Sequence, residues 1–171
     1  MLLPWGPLMA QPESKWAVGT EQDVLPYLFN GYFGNVWVGK GHWRSRILLA
    51  RVRKPDFVVK EPFENHVVHA YAITLDYFPS AGWRGWWLSG GLVRWQNSIG
   101  VAQSTEKRAF GQWLLNGSVG YNWIFLKRCY AGPWAGLHVS IAGNSSVDVA
   151  GYRYTPARLN PEASVKVGCY F

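Results

Sequence analysis

Large apolar residues alternate with small or polar residues along most of this chain. In residues 109–125 one face of an extended strand is large and apolar, and comprises Trp113, Leu115, Val119, Tyr121 and Trp123. The opposite face carries Gln112, Asn116, Ser118 and Asn122. This period of two predicts β-strands. Alternation over more than ten residues is longer than the usual strand of a globular protein, but it matches a tilted strand that crosses a bilayer.

The same pattern predicts seven strands, at residues 28–38, 43–54, 64–78, 83–96, 109–125, 129–142 and 160–171. A closed bacterial barrel has an even number of strands. We therefore expect an eighth strand within residues 15–24, where the alternation is weakest, with a bend marked by Pro26.

The connections between these strands alternate between short and long. Residues 39–42, 79–82 and 126–128 form tight turns, whereas residues 55–63, 97–108 and 143–159 are longer, polar and rich in turn-forming residues. In an up-and-down meander alternate connections lie on the same side, so all short turns share one end. This asymmetry is typical of transmembrane β-barrels and is not expected of a soluble β-sandwich.

Composition supports a membrane-facing surface. The chain of 171 residues has 11 Trp, 9 Tyr and 8 Phe, and only 16% charged residues. Trp and Tyr are enriched where an apolar surface meets water. We expect an aromatic girdle near the short turns, formed by Tyr77, Phe78, Trp83, residues 121–125, Tyr170 and Phe171.

The closing alternation, VKVGCYF, resembles the C-terminal signature of bacterial outer-membrane barrels, and the whole pattern is similar to the small eight-stranded members of the OmpA and OmpX type. The resemblance implies an all-β, eight-stranded antiparallel barrel in a Gram-negative outer membrane, monomeric and without a cofactor. Its implied partners are outer-membrane lipids, including lipopolysaccharide, and the assembly machinery that reads the strand ending at Phe171. We expect a structural or binding role, with specificity in the loops, above all in residues 143–159.

We assign residues 15–171 to the barrel and leave residues 1–14 as either the remnant of a signal peptide or a disordered leader. The net charge of +7 also fits a soluble basic β-sandwich that binds nucleic acid. However, the basic residues are scattered among aromatic residues and form no basic helix or arm, so nucleic acid is not an expected partner. Basic residues of the long loops instead suit contact with anionic headgroups or a solvated rim.

An eight-stranded barrel is only wide enough to be filled by side chains or to hold one small ligand, so we expect a filled lumen and no conducting pore. Buried charges must be paired. The alternation places several charged residues inside, where they should pair with one another: Asp76, Glu162, Lys166 and some of Arg44, Arg46, Arg84 and Arg94.

A second, local resemblance suggests an enzyme. The segment HVSIAG, residues 138–143, is similar to the His-x-Ser-Asn-Ala motif of lipid A deacylase barrels, in which Ser is the nucleophile and a Glu on the last strand orients the His. That resemblance assigns catalytic roles to His138, Ser140 and Glu162 as an alternative. Ile141 replaces the Asn of the motif. The alternation directs all three residues into the lumen, whereas the deacylase site faces lipid, so a polar lumen network is the favoured interpretation.

Two cysteines and four histidines complete the chemistry. Cys129 and Cys169 lie near the same end on neighbouring strands, where they form either a cross-strand disulfide or two apolar lipid-facing contacts. His66 and His69 point to opposite faces of one strand and His42 lies in a turn, so we expect no metal site.

Overall fold

The computed structural model describes residues 15–80 and 82–171. The predicted leader, residues 1–14, lies outside the described residues. The strands are β1 (Trp16–Asp23), β2 (Tyr32–Lys40), β3 (Trp43–Arg53), β4 (Phe63–Tyr77), β5 (Gly85–Val101), β6 (Lys107–Phe125), β7 (Cys129–Gly143), β8 (Val147–Val149), β9 (Tyr152–Tyr154) and β10 (Leu159–Tyr170). Helix α1 spans Val24–Leu28, and a 3-10 turn spans Asp56–Val58.

Eight of these strands close into a single antiparallel barrel, in the order β1-β10-β7-β6-β5-β4-β3-β2. Strand β1 closes the ring by pairing with both β2 and β10, with Gly19 opposite Tyr170 and Asp23 opposite Lys166. The eight-stranded barrel is therefore confirmed. The β-sandwich alternative is wrong, because the eight strands form one continuous sheet rather than two.

The predicted first strand is confirmed, but the second begins later than expected. Residues 24–28, which the alternation left before or at the start of that strand, form α1. The Asp23 carboxylate accepts a hydrogen bond from the Leu25 amide at 3.1 Å and thereby caps the helix. Asp23 therefore both ends β1 and caps α1, and the helix forms the first part of the connection to β2.

The barrel has a short-turn end and a loop end. At the short-turn end β2 joins β3 through Gly41 and His42, and Gly41 has a φ of +60°, which glycine adopts without strain. The long connections, residues 24–31, 54–62 and 144–158, lie at the loop end. The predicted long loop at residues 97–108 is wrong: β5 continues to Val101 and β6 begins at Lys107, leaving only residues 102–106 between them.

The extensions of β5 and β6 are stable because loop residues pack on them. Strands β8 and β9 form a hairpin within residues 144–158. An apolar cluster joins the hairpin and the β3–β4 connection to the extended ends of β5 and β6. It contains Val59, Phe63, Ile99, Val101, Phe110 and Val149. The polar appearance of residues 97–108 concealed the inward-facing Ile99 and Val101, which is why the loop prediction failed there.

The outer surface of the barrel is a band of exposed apolar side chains. It includes Val18, Val36, Ile47, Leu49, Ile73, Leu75, Leu88, Leu92, Leu115, Val119, Val165 and Val167. Near the short-turn end the band is bordered by exposed aromatic side chains: Trp16, Trp43, Tyr77, Trp86, Trp123 and Phe125. Phe78 and Trp83 do not belong to this girdle as predicted, because the β4–β5 connection carries both side chains into the lumen, where they are buried. Tyr170, also predicted for the girdle, is partly buried and packs against the same lumen cluster.

Cys129 and Cys169 are directly opposite each other on β7 and β10 and form a disulfide. The cross-strand alternative is therefore correct. Within the described ranges, no helix has the length and apolar character needed to cross a membrane.

Candidate functional site

The middle of the lumen contains a buried ion-pair network. Arg44 Nε lies 2.7 Å from Asp76 Oδ2, and Arg46 Nη2 lies 2.8 Å from Asp76 Oδ1. Both arginines also contact Glu21, at 3.2 Å and 2.9 Å, and Lys166 Nζ lies 3.5 Å from the same carboxylate. All five side chains are almost fully excluded from solvent. Each charge has an opposite charge within reach, which is the condition for burying ions.

The sequence prediction of the lumen charges was correct for part of the set. Arg44, Arg46, Asp76 and Lys166 face inward, as the alternation indicated. Arg84 is exposed, and the Arg94 guanidinium lies over the Trp113 ring at 5.2 Å, on the outer face. Glu21 was missed, because the alternation of β1 was too weak to give its parity.

Aromatic side chains close the lumen below this network, at the short-turn end. The cluster, here called the aromatic plug, contains Trp37, Phe78, Trp83, Trp87 and Tyr130. The Trp37 and Trp83 rings are 5.4 Å apart in an edge-to-face arrangement, and Trp83 meets Phe78 in the same way. Tyr130 connects the plug to the network, since its hydroxyl donates to Glu21 Oε2 at 2.9 Å and accepts from Trp37 Nε1 at 3.0 Å.

Above the network, toward the loop end, the lumen contains a cavity of about 620 Å³. The predicted filled lumen is therefore correct only for the short-turn half. On β3, β4 and β5 the cavity wall is apolar and consists of Leu48, Ala50, Val68, Ala70, Ala72, Val93 and Trp95, whereas Asp23, Asn116, Ser118 and Trp134 line the opposite side. Arg46, Thr74 and Lys166 form its floor. A volume of this size lies within the range of small-molecule sites, about 300–1,000 Å³.

Titratable side chains gather where the cavity opens. We call Lys54, His66, His138 and Glu162 the mouth cluster; all four line the cavity. The Lys54 ammonium lies over the Trp95 ring at 5.1 Å, and the Trp95 ring lies 5.4 Å from His138. Burial lowers the pKa of Lys54, although the nearby Glu162 opposes this effect. Within the described part of the chain, Lys54 forms no ion pair.

The structure brings together two of the three residues of the deacylase-like alternative. His138 Nε2 lies 3.1 Å from Glu162 Oε2. The Ser140 hydroxyl instead accepts a hydrogen bond from Gln112 Nε2 at 3.1 Å, and no bond joins it to His138 among the described residues. All three side chains lie on the lumen side, in agreement with the alternation. A serine nucleophile needs a base within hydrogen-bond reach, and this arrangement does not supply one.

His138 has a second notable property. Its side chain is buried, and its Nδ1 has no hydrogen-bond partner among the described residues. Buried polar atoms are nearly always paired. No group of three or more His, Cys, Asp or Glu residues suited to a metal occurs in residues 15–80 and 82–171.

The closed ring of eight strands, the outward apolar band and the aromatic border define the chain as a β-barrel of the small outer-membrane class. No protein-family profile matches the sequence, and no curated protein matches it. The crystal structure of the N-terminal β-barrel domain of Pseudomonas aeruginosa OprF is similar: it covers 93% of this chain and 98% of that domain, with 13% identity and a TM-score of 0.58. At this identity the likeness concerns the fold. It confirms the eight-stranded barrel architecture expected from the sequence.

Proposed function

We propose that this chain is a non-conducting outer-membrane barrel that supports a binding surface at its loop end. The closure of the lumen by the ion-pair network and the aromatic plug carries this proposal. An ion that crossed the barrel would have to displace Arg44 and Arg46 from their carboxylates and pass the packed rings of Trp83 and Trp87.

Planar-bilayer recording tests the absence of a pore. The refolded barrel should give no stable conductance steps across a lipid bilayer, whereas a general porin measured in the same chamber gives the positive control. Reproducible steps that depend on the amount of folded protein would contradict the proposal.

The loop end is the proposed recognition surface, with outer-leaflet lipids as partners. The β8–β9 hairpin holds Arg153 against Asp148 at 3.0 Å, and Arg158 follows on the same connection. Cations near a membrane surface attract anionic headgroups. We expect the double variant Arg153→Gln and Arg158→Gln to bind vesicles that contain lipopolysaccharide less well than the parent. Arg84→Gln, at the short-turn end, is the matched control, and an equal loss in both would count against recognition by the loops.

Recognition of β10 by the assembly machinery is a separate part of the proposal. Phe171 is largely exposed, while its amide donates to Val18 O at 2.9 Å. Phe171→Ser should slow insertion into liposomes that carry the purified assembly complex and leave unassisted folding into short-chain lipid unchanged. An equal effect on both routes would indicate a purely structural role for the ring.

The acyl-hydrolase alternative is not favoured, because the Ser140 hydroxyl is bonded to Gln112. Mass spectrometry of lipid A from cells with and without the protein distinguishes the two roles. We expect the same acylation in both samples, and loss of one acyl chain that requires Ser140 would instead establish the enzyme.

A further inference from the structure

The upper lumen cavity combines an elongated apolar wall with a cationic mouth. Lys54 at the mouth and Arg46 at the floor line the same cavity and are eight residues apart along one continuous stretch of chain. At about 3.3 Å per residue this corresponds to roughly 26 Å along the strand direction. A cavity of about 620 Å³ that extends along this length is longer than it is wide and suits a chain-shaped occupant.

The β3–β5 side of the wall offers almost no polar groups to an occupant, whereas Asp23, Asn116 and Ser118 line the opposite side. Between mouth and floor, β3 contributes Leu48 and Ala50, β4 contributes Val68 and Ala72, and β5 contributes Val93. Burial of apolar surface against such a wall is favourable by about 25 cal/mol per Å². An unbranched hydrocarbon chain matches this lining.

The mouth carries groups that select an anion. Lys54 is half-buried and has no ion pair in the part of the chain that the structure describes. His138 is buried, and its Nδ1 lacks a partner there while its Nε2 contacts Glu162. The Glu162 carboxylate contacts His138 and forms no ion pair with Lys54, so the Lys54 ammonium is open to a further anion. A ligand carboxylate at this position pairs with the Lys54 ammonium and accepts a hydrogen bond from it.

The approach to the mouth is also apolar. Phe57 and Val58, on the 3-10 turn between β3 and β4, line the cavity, yet Phe57 remains 87% exposed. Exposed apolar side chains beside a cavity mark an entrance for an apolar molecule rather than for a sugar or an ion.

We propose that this cavity binds a long-chain fatty acid, with its carboxylate at Lys54 and its hydrocarbon chain along β3, β4 and β5 toward Arg46. The carboxylate at the mouth stays close to water, which limits the cost of burying its charge. The proposal does not depend on recognition by the loops, so either can fail alone.

Photo-crosslinking with a fatty acid that carries a mid-chain diazirine tests the proposal on the intact barrel in phosphatidylcholine vesicles. Neighbouring residues of β3 point in opposite directions, so the labelled residue reports the location of the probe. We expect labels on the inward Leu48 and Ala50 that excess palmitate removes. Labels on the outward Ile47 and Leu49 come from the bilayer and should persist. Labelling of the outward residues alone, or inward labelling that palmitate does not reduce, would overturn the proposal.

Variants then separate the chain site from the headgroup site. Ala72→Phe should abolish inward labelling and preserve outward labelling, and the mobility of unheated protein on gels verifies that the barrel is folded. Lys54→Gln should raise the palmitate concentration needed for half-competition about tenfold, the effect of losing one hydrogen bond to a charged group. Lys107→Gln, on the exposed start of β6, should leave it unchanged.

A neutral probe tests the charge of the ligand. Hexadecanol has a similar chain but no carboxylate, so in the parent it should compete at least tenfold more weakly than palmitate. Its competition should be the same in the parent and in Lys54→Gln. Equal competition by the alcohol and the acid in the parent would show that Lys54 does not recognise a carboxylate, and the fatty-acid proposal would be wrong.

Discussion

The two halves of the lumen differ in how side chains occupy the interior. At the short-turn half, rings and paired charges occupy the interior, and Arg44, Glu21 and Asp76 are buried within a few ångströms of one another. At the loop half, alanines and valines leave a cavity of about 620 Å³. The strands and the barrel are continuous through both halves. The difference therefore shows that side-chain size, and not strand number, decides whether a small barrel is closed or hollow.

The largest difference in stability between the two halves is expected when a charged side chain is substituted. Arg46→Ala leaves Glu21 and Asp76 buried with fewer cations, so the free energy of unfolding should fall by about 3–5 kcal/mol. Glu162→Gln, at the half-exposed mouth, keeps an acceptor for His138 and should cost about 1 kcal/mol or less. Urea unfolding in phosphatidylcholine vesicles, followed by Trp fluorescence, measures both. Similar losses would mean that the network does not distinguish the two halves.

Aromatic truncation should give the next contrast. Trp87 is 1% exposed, packs in the plug and donates from Nε1 to Asn122 at 3.0 Å. Trp87→Ala should therefore destabilise the barrel by about 3–5 kcal/mol. Trp95 has the cavity on one side, so it makes fewer contacts and Trp95→Ala should cost clearly less. The same unfolding experiment decides, and a larger loss for Trp95 would contradict the assignment of the cavity.

Adding side-chain atoms should change the free energy of unfolding in opposite directions in the two halves. A Cβ at Gly120 would collide with the Trp87 ring, so Gly120→Ala should cost about 1–3 kcal/mol. Ala72→Leu places its added carbons in the cavity and should be neutral or stabilise by up to about 1 kcal/mol. Midpoints of urea unfolding report the sign directly, and destabilisation of equal size at both positions would indicate that the upper half is packed.

The smallest effect concerns pH at the mouth. Burial lowers the pKa of Lys54 below its ordinary value of 10.5, and Glu162 and His66 line the cavity beside it. In the window between the lowered pKa and 10.5, the unfolded chain binds the proton and the folded barrel does not, so stability rises with pH. The unfolding free energy of the parent, relative to Lys54→Gln, should therefore increase from neutral pH toward pH 10.5. A difference that is flat or falls with pH would contradict this direction.

Alternation was enough to predict the barrel and the inward direction of Arg44, Arg46, Asp76 and His138, because strand parity is a local property. It failed for Glu21 and for α1, where β1 is short and the Asp23 cap competes with an extended chain. It also placed Phe78 and Trp83 in the girdle, since parity does not apply to a connection. The alternation could not predict the cavity, for a different reason. It depends on which small residues of non-adjacent strands lie at the same height, and only the register across the whole ring determines that.

The seam between β1 and β10 has a consequence for how the barrel is completed. Glu21 lies on the first strand and Lys166 on the last, while Arg44 and Arg46 lie on β3. In an open sheet whose two edges have not met, Lys166 is separated from the carboxylate it contacts in the closed ring. Joining the edges therefore brings Lys166 to Glu21 at the same moment as it satisfies the exposed backbone. Closure is therefore favoured by the ion pair in the lumen as well as by the backbone hydrogen bonds between β1 and β10. A sheet that closed with these strands slipped by one residue would lose both the ion pair and the matched backbone pairing.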